Sequence, residues 1–289
     1  MALWTKDTKV LIVGLGLIGG SYARALKKQG FDVTAITRSQ SSIDYALEQQ
    51  IIDRGFTQVC REAVSHADAI IFSLYPSALL PWIEEHQHLF KPGVKITDVT
   101  GVKTCILYDI QKVLRADAEF IGAHPMAGKE TSGVESSDEK IFTKANYIVV
   151  PTDKNTPEGI AWCEELGHLL GVRKVTQLSP EKHDEMIGFV SQLTHCIAIC
   201  LMTCKDNENL VNYTGDSFHD LTRIARINDR MWSELFMLNQ SALLEQMDLF
   251  MEEFKDLRSM LAAGDVEGMR GKMQLSTQRR ALFDQSKGE

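Results

Sequence analysis

The stretch that most restricts this chain is KVLIVGLGLIGGSYARALKKQG, residues 9–30. A short apolar run ends in Gly14, Gly16 and Gly19 at GxGxxG spacing, with Leu17 and Ile18 between the last two, and passes directly into a pattern of helical period. Flanked by strand and helix, this turn predicts a dinucleotide site. The first glycine permits the tight turn, the second lets a pyrophosphate approach the backbone, and the third lets helix pack on sheet; the anion then sits at the helix N-terminus.

The rest of the first half extends the pattern. DVTAITR, ADAIIFSLY, VKITDVTG, EFIGAHP and NYIVVPT are short β-branched or apolar runs, mostly separated by segments of helical period. Such alternation predicts parallel strands with crossover helices, a doubly wound α/β sheet. A helix over residues 159–170 and a last edge strand in VRKVTQLSP follow. From Glu181 the strand signals stop, and Pro180 is the last proline. Long apolar periodicities such as MWSELFMLNQSALLEQMDLFMEEFKDLRSMLAAG predict helices. The expected division is a dinucleotide-binding domain over 1–180 and an all-helical domain over 181–289, whose Met- and Leu-rich face is available for pairing with a second copy. A chain of 289 residues suits two domains.

Composition narrows the partners. A net charge of −8 without a basic stripe argues against nucleic acid. No uninterrupted apolar run of about 18 residues predicts a membrane span. The N-terminus carries no leader pattern, which predicts a cytoplasmic protein. Six cysteines form no CxxC pair; Cys196, Cys200 and Cys204, four apart, read as packing thiols, so no metal site is expected.

The second strand ends in Thr37, Arg38 and Ser39, where an NAD-selective site offers a carboxylate to the ribose. A guanidinium beside hydroxyls suits a 2′-phosphate, so NADP is favoured over NAD. The nicotinamide end should project beyond the strands' carboxyl ends, toward SLYPSALL, DVTGVK and GAHPMAGKETSG (residues 122–133). That places His124, followed by a φ-fixing proline, near the redox carbon.

With these pieces placed, the chain resembles the prephenate and arogenate dehydrogenase family of tyrosine biosynthesis. The similarity runs through GLGLIGGS, DVTGVK, GAHPMAGKETSG, HDEMIGFVSQLTH and FHDLTRIARINDRMW, in that order. It implies a nucleotide-binding domain followed by a helical dimerisation domain, a homodimer formed through the latter, and oxidation of a cyclohexadienol with loss of its ring carboxylate as CO2. It further implies His124 as acceptor of the hydroxyl proton, a role that a neutral imidazole suits. Arg223 matches the family arginine that grips a substrate carboxylate. His195 matches the second site histidine, expected to donate a hydrogen bond to the substrate side chain. Asp220, three residues before Arg223, is expected to brace it. Where many members carry serine before VK, this chain has Gly101, so Thr100 is the expected source of that hydroxyl, and Lys103 of support for the turn. His183 and Asp184 read as the acidic start of a helix, and Lys129 and Glu130 stay undecided between ligand closure and loop surface.

The function expected is prephenate oxidation to 4-hydroxyphenylpyruvate, with arogenate oxidation to tyrosine as alternative. A β-hydroxyacid dehydrogenase shares the glycine turn but would want a lysine within its central helix, where this chain has histidines. A dinucleotide-binding regulator without turnover is the reading from another class. The sequence leaves open prephenate against arogenate and any feedback by tyrosine.

Overall fold

A computed structural model describes residues 3–206 and 208–285. Eight strands form one sheet: β1 (Lys9–Val13), β2 (Asp32–Ile36), β3 (Arg54–Phe56), β4 (Ala69–Phe72), β5 (Lys95–Asp98), β6 (Glu119–Pro125), β7 (Asn146–Val150) and β8 (Lys174–Gln177). Their order is β3-β2-β1-β4-β5-β6-β7-β8, so the chain reverses direction across the sheet between β1 and β4. The helices between them are α1 (Leu17–Lys28), α2 (Gln40–Glu48), α3 (Arg61–Val64), α4 (Pro76–His86), α5 (Thr104–Val113) and α6 (Pro157–Leu169).

Residue alternation explains the double winding. In β1, Val10 and Ile12 enter one buried apolar cluster while Leu11 and Val13 enter another; in β4, Ala69 and Ile71 separate from Ile70 and Phe72 in the same way. Both faces are therefore covered, as near-continuous apolar strands require. Two details depart from the sequence reading. Strand β3, only three residues long, carries too little pattern to register. Strand β7 runs antiparallel to β6, whereas parallel strands were expected. Residues 126–145 between them hold 3-10 turns but no crossover helix, and a reversed strand follows from that. This connection is tied to α1: Arg24 Nε donates to Ser137 Oγ at 2.9 Å, and the Asp138 amide to Ser21 Oγ at 3.0 Å.

From Pro180 the chain is helical. Helix α7 (Pro180–Ile187), a π-helical turn (Gly188–Leu193) and α8 (Thr194–Thr203) follow one another, then α9 (Asp216–Thr222) and α10 (Asp229–Leu238). Ser179 caps α7, its Oγ accepting from the Lys182 amide at 3.2 Å. By length and hydropathy, Pro180–Thr203 is apolar enough to cross a bilayer. The expectation concerned an uninterrupted apolar run, which this is not: the segment averages as apolar although Ser191, Gln192, Thr194 and His195 interrupt it.

The chain divides into two compact units, residues 1–240 and 241–289. Within the second, α11 (Gln240–Ala263) and α12 (Val266–Gln285) are long, and Leu249, Phe254 and Leu261 are exposed on α11.

Candidate active site

The glycine turn meets the demands of its spacing. Gly14 has φ +97°, and a Cβ there would lie 2.2 Å from the Ser73 carbonyl oxygen, so only glycine fits. A Cβ on Gly19 would fall 2.0 Å from the Gly14 carbonyl, which is how α1 packs so closely. Around Gly16 a Cβ would meet nothing within 4 Å, and no side chain caps α1, whose first turn has no acid. Leu17 and Ile18 form that first turn. The helix thus presents amide donors to open space, a fit for a pyrophosphate.

At the end of β2, Thr37 donates its amide to the Phe56 carbonyl at 3.0 Å, and Arg38 is exposed. Ser39 caps α2, its Oγ accepting from the Ser42 amide at 3.1 Å. Residues 37–39, which follow this strand, include no acid.

At the end of β5 a buried network takes over. Lys103, fully buried, donates from Nζ to Asp98 Oδ2 at 2.6 Å, the Thr100 carbonyl at 2.9 Å and Thr100 Oγ1 at 3.0 Å. The Thr100 hydroxyl is also hydrogen-bonded to Asp98 Oδ2. These bonds commit it to the interior, so Thr100 does not supply the hydroxyl expected of it. Gly101 is the position that faces the site: a Cβ there would lie 3.7 Å from His124 Cε1, 3.8 Å from Nε2 and 3.7 Å from Leu235 Cδ2. That is ordinary contact distance at a φ outside the left-handed region. Gly101→Ser should therefore fold normally and raise kcat about two- to tenfold, the equivalent of one added hydrogen bond beside His124; an unchanged or lower kcat would remove this position from the chemistry.

His124 is the penultimate residue of β6 and is part-buried. Its Nδ1 lies 3.0 Å from His183 Nε2, and His183 Nδ1 lies 2.7 Å from Asp184 Oδ1. Asp184 also accepts from the Lys103 amide at 2.9 Å and the Thr104 amide at 2.8 Å. Burial opposes its charge, but the bonds from His183 and Thr104 prevail and hold the carboxyl below its usual range. An acceptor at Asp184 fixes the tautomers in sequence. His183 donates from Nδ1 and accepts at Nε2; His124 donates from Nδ1 and turns a lone pair on Nε2 toward Gly101. Burial, then the neighbouring His183 and the Lys103 cation, hold His124 well below the ordinary imidazole pKa of 6.5. It is a neutral acceptor at pH 7.

His183 and Asp184 are what the sequence reading missed. The available signal was position: with Ser179 as cap, Asp184 is in the second turn of α7, beyond the first turn where a capping acid belongs.

On α8, His195 stacks on Trp232 with ring centroids 3.7 Å apart. Its Nδ1 is 2.8 Å from the carbonyl of Ser191, in the π-helical turn. A carbonyl can only accept, so Nδ1 carries the proton and Nε2 is left as an acceptor, not the donor expected. Arg223 closes α9 and pairs with Glu130 from the loop after His124. Glu130, undecided from sequence, is thus Arg223's partner. Asp220 is exposed, and the Arg223 guanidinium is bonded to Glu130 instead of to it. A buried amide pair holds α10 in place, Asn239 Nδ2 donating to Gln192 Oε1 at 2.7 Å and to the Asp184 carbonyl at 2.9 Å. Among the described residues no cluster of three or more His, Cys, Asp or Glu could hold a metal ion.

Comparison with known proteins decides the lineage of this arrangement. The nucleotide-binding domain of prephenate dehydrogenase matches residues 22–176, and its dimerization domain matches residues 179–275. The chain belongs to the prephenate dehydrogenase family. It is 31% identical to the prephenate dehydrogenase of Bacillus subtilis over 91% of this chain and 72% of that protein. Among solved structures, A. aeolicus prephenate dehydrogenase in complex with hydroxyphenyl propionate and NAD+ superposes with a TM-score of 0.87 at 27% identity, covering 96% of this chain and 98% of that one. Synechocystis arogenate dehydrogenase gives 0.82 at 25% identity, covering 96% and 100%. The family places a Rossmann-type domain before a helical one, and the position where this chain turns all-helical, Pro180, falls at the start of the second match.

Proposed function

We propose that this chain oxidises prephenate to 4-hydroxyphenylpyruvate and CO2 with a nicotinamide dinucleotide. The observation that carries the reading is the Asp184–His183–His124 chain, which leaves a neutral imidazole lone pair at the carboxyl end of β6. The family relatives carry the choice of substrate. Arogenate, oxidised to tyrosine, is the second reading.

Gly14, Gly16, Leu17, Ile18 and Gly19 would hold the pyrophosphate. The bound nicotinamide supplies a hydride acceptor. His124 Nε2 takes the proton of the ring hydroxyl as the carbinol carbon is oxidised. The bond to the ring carboxylate then breaks, CO2 departs, and its electron pair makes the ring aromatic. His124 returns the proton to the resulting phenolate oxygen. Arg223 binds a substrate carboxylate bidentately, and orientation is the protein's main contribution. Mixing chain, prephenate and cofactor should give one CO2 per reduced nicotinamide; cofactor binding with no reduction would leave a regulator instead.

NADP is the proposed cofactor because Arg38 stands exposed at the end of β2 with no acid beside it. Arg38→Asp should shift the NADP-to-NAD ratio of kcat/KM toward NAD by about tenfold or more, the value of a charge-assisted bond to phosphate. An unchanged ratio would take Arg38 off the 2′-phosphate. The functional division proposed is 1–180 for cofactor and 181–289 for substrate and dimerisation. A homodimer is supported by the family's dimerization domain and by the exposed Leu249, Phe254 and Leu261. A membrane-free placement of Pro180–Thr203 is supported by His183, Asp184 and Gln192, which tie it to protein groups, and the proposed location is cytoplasmic, as for biosynthetic relatives of this kind.

A further inference from the structure

In an open α/β sheet the crevice that receives a dinucleotide lies where the strand order reverses, here between the carboxyl ends of β1 and β4. Gly14 forms one wall and residues 73–77 the other. The Ser73 amide donates to the Val13 carbonyl at 2.7 Å, and Leu74 Cδ2 lies 3.0 Å from the Cβ position of Gly14. The second wall then opens α4, which has no cap of its own: the Tyr75 side chain makes no capping bond, and Pro76 has no amide to offer. The first free amide, that of Ser77, donates instead to Glu234 Oε1 at 2.7 Å, from α10, 157 residues away. Two further contacts join the same pieces. The Arg230 guanidinium lies over the Tyr75 ring, 5.9 Å from its centroid, and Asn228 Nδ2 donates to the Tyr75 hydroxyl at 3.4 Å.

Glu234, half-buried, sits between the two α10 residues that reach the two histidines of the site. Trp232 carries the stacked ring of His195, and Leu235 Cδ2 lies 3.7 Å from the Cβ position of Gly101, beside His124. On its inner side α10 is tied by an amide, Gln192 Nε2 donating to the Leu235 carbonyl at 3.2 Å. The helix is one rigid element, so a shift of the crevice wall that Glu234 follows is felt at Trp232 and Leu235 as well.

We infer that Glu234 is a positioning residue that couples the cofactor crevice to the substrate side of the site, so that cofactor and substrate tighten each other's binding. A dinucleotide in the crevice fixes the wall, and the Glu234–Ser77 bond fixes α10 with it. The substrate then meets Trp232 and Leu235 already ordered, which lowers the cost of its binding. By linkage, the substrate tightens the cofactor by the same factor. The bond suits this task because it is charge-assisted, a carboxylate at the positive end of a helix. The identity of the substrate, though not the coupling bond, rests on the proposed reaction.

Calorimetric titration of the full chain with NADP+, alone and at saturating 4-hydroxyphenylpyruvate, reads the coupling without turnover. In the native chain the product should lower the Kd of NADP+ by about fivefold or more, the lower end of ordinary coupling between sites. Glu234→Ala keeps helix propensity in α10, so the Kd of NADP+ alone should stay within about threefold while the coupling falls below about twofold. Glu234→Gln retains an oxygen for the Ser77 amide and should keep a coupling of about threefold or more, a rescue that a merely structural role would not produce. Native coupling below about twofold, full coupling in the alanine variant, or equal loss in the alanine and glutamine variants overturns the inference. A native chain that binds NADP+ but not 4-hydroxyphenylpyruvate would overturn the proposed reaction itself, and this coupling with it.

Discussion

His124→Asn should lower kcat by about 10²–10⁴, the range for a lost general base, while cofactor affinity stays within about twofold. Asparagine is the right replacement because of what lies behind it. His183 Nε2 accepts from His124 Nδ1, and a buried acceptor left without a donor costs about 1–3 kcal/mol. The asparagine amide can still donate, so the fold is kept and the missing basic lone pair is isolated. Alanine would confound the two losses. Equal kcat in the asparagine variant would end the assignment of His124 as proton acceptor.

The native enzyme's pH profile checks the same group. Burial, His183 and Lys103 depress its pKa, with Asp98 and Asp184 the other charged groups in the network. The acidic limb of kcat/KM should therefore fall below pH 6.5. Stability follows the same sign: the unfolded chain, with an ordinary histidine, binds the proton first. Stability due to His124 is complete above about pH 6.5 and declines as pH drops from there toward the folded pKa. His183, depressed mainly by burial, acts in the same direction. A midpoint of thermal unfolding that rose between pH 6.5 and 5 would contradict both.

Asp184→Asn should also reduce kcat by about 10² or more, through tautomer choice, as losing a carboxylate behind a catalytic histidine does elsewhere. The carboxylate accepts from His183 and from the Lys103 and Thr104 amides, and an asparagine has one oxygen for these three donors. If its amine faces His183, that ring accepts at Nδ1 and donates from Nε2. His124 must then accept at Nδ1 and carry its proton on Nε2, so the base arrives as a donor. The loss should appear in kcat with KM for prephenate little changed, alongside about 1–3 kcal/mol of lost stability. A decline in activity that tracked only the unfolded fraction would make Asp184 a structural residue.

How much of this was legible in the chain depended on range. The glycine turn was readable because its three positions act within one loop: Gly14 and Gly19 nearly touch, so spacing alone encodes the fit. Strands β1 and β4 were readable because both faces are buried and, after Lys9 at the start of β1, every residue is apolar. The histidine pair was not, because His124 and His183 are 59 residues apart and meet only after β6 and α7 pack. Arg223 with Glu130, 93 residues apart, is the same case. Asp220 looked a better partner because sequence shows near neighbours and not a loop 93 residues away. The tautomer of His195 was unreadable for a further reason: it depends on a carbonyl in a π-helical turn, which no residue type announces.

The reversed strand β7 decides where the intervening chain spends its length. A crossover helix would have carried residues 126–145 back to the opposite end of the sheet, far from His124. Reversal starts and ends that segment at the same rim, next to the glycine turn, and its bonds from Ser137 and Asp138 to α1 moor it there. The loop that bears Glu130 and the helix expected to meet the pyrophosphate are thus parts of one scaffold. Insertions in this segment would alter the wall of the catalytic cleft directly, and so this is where relatives can diverge in what they admit without disturbing the sheet beneath.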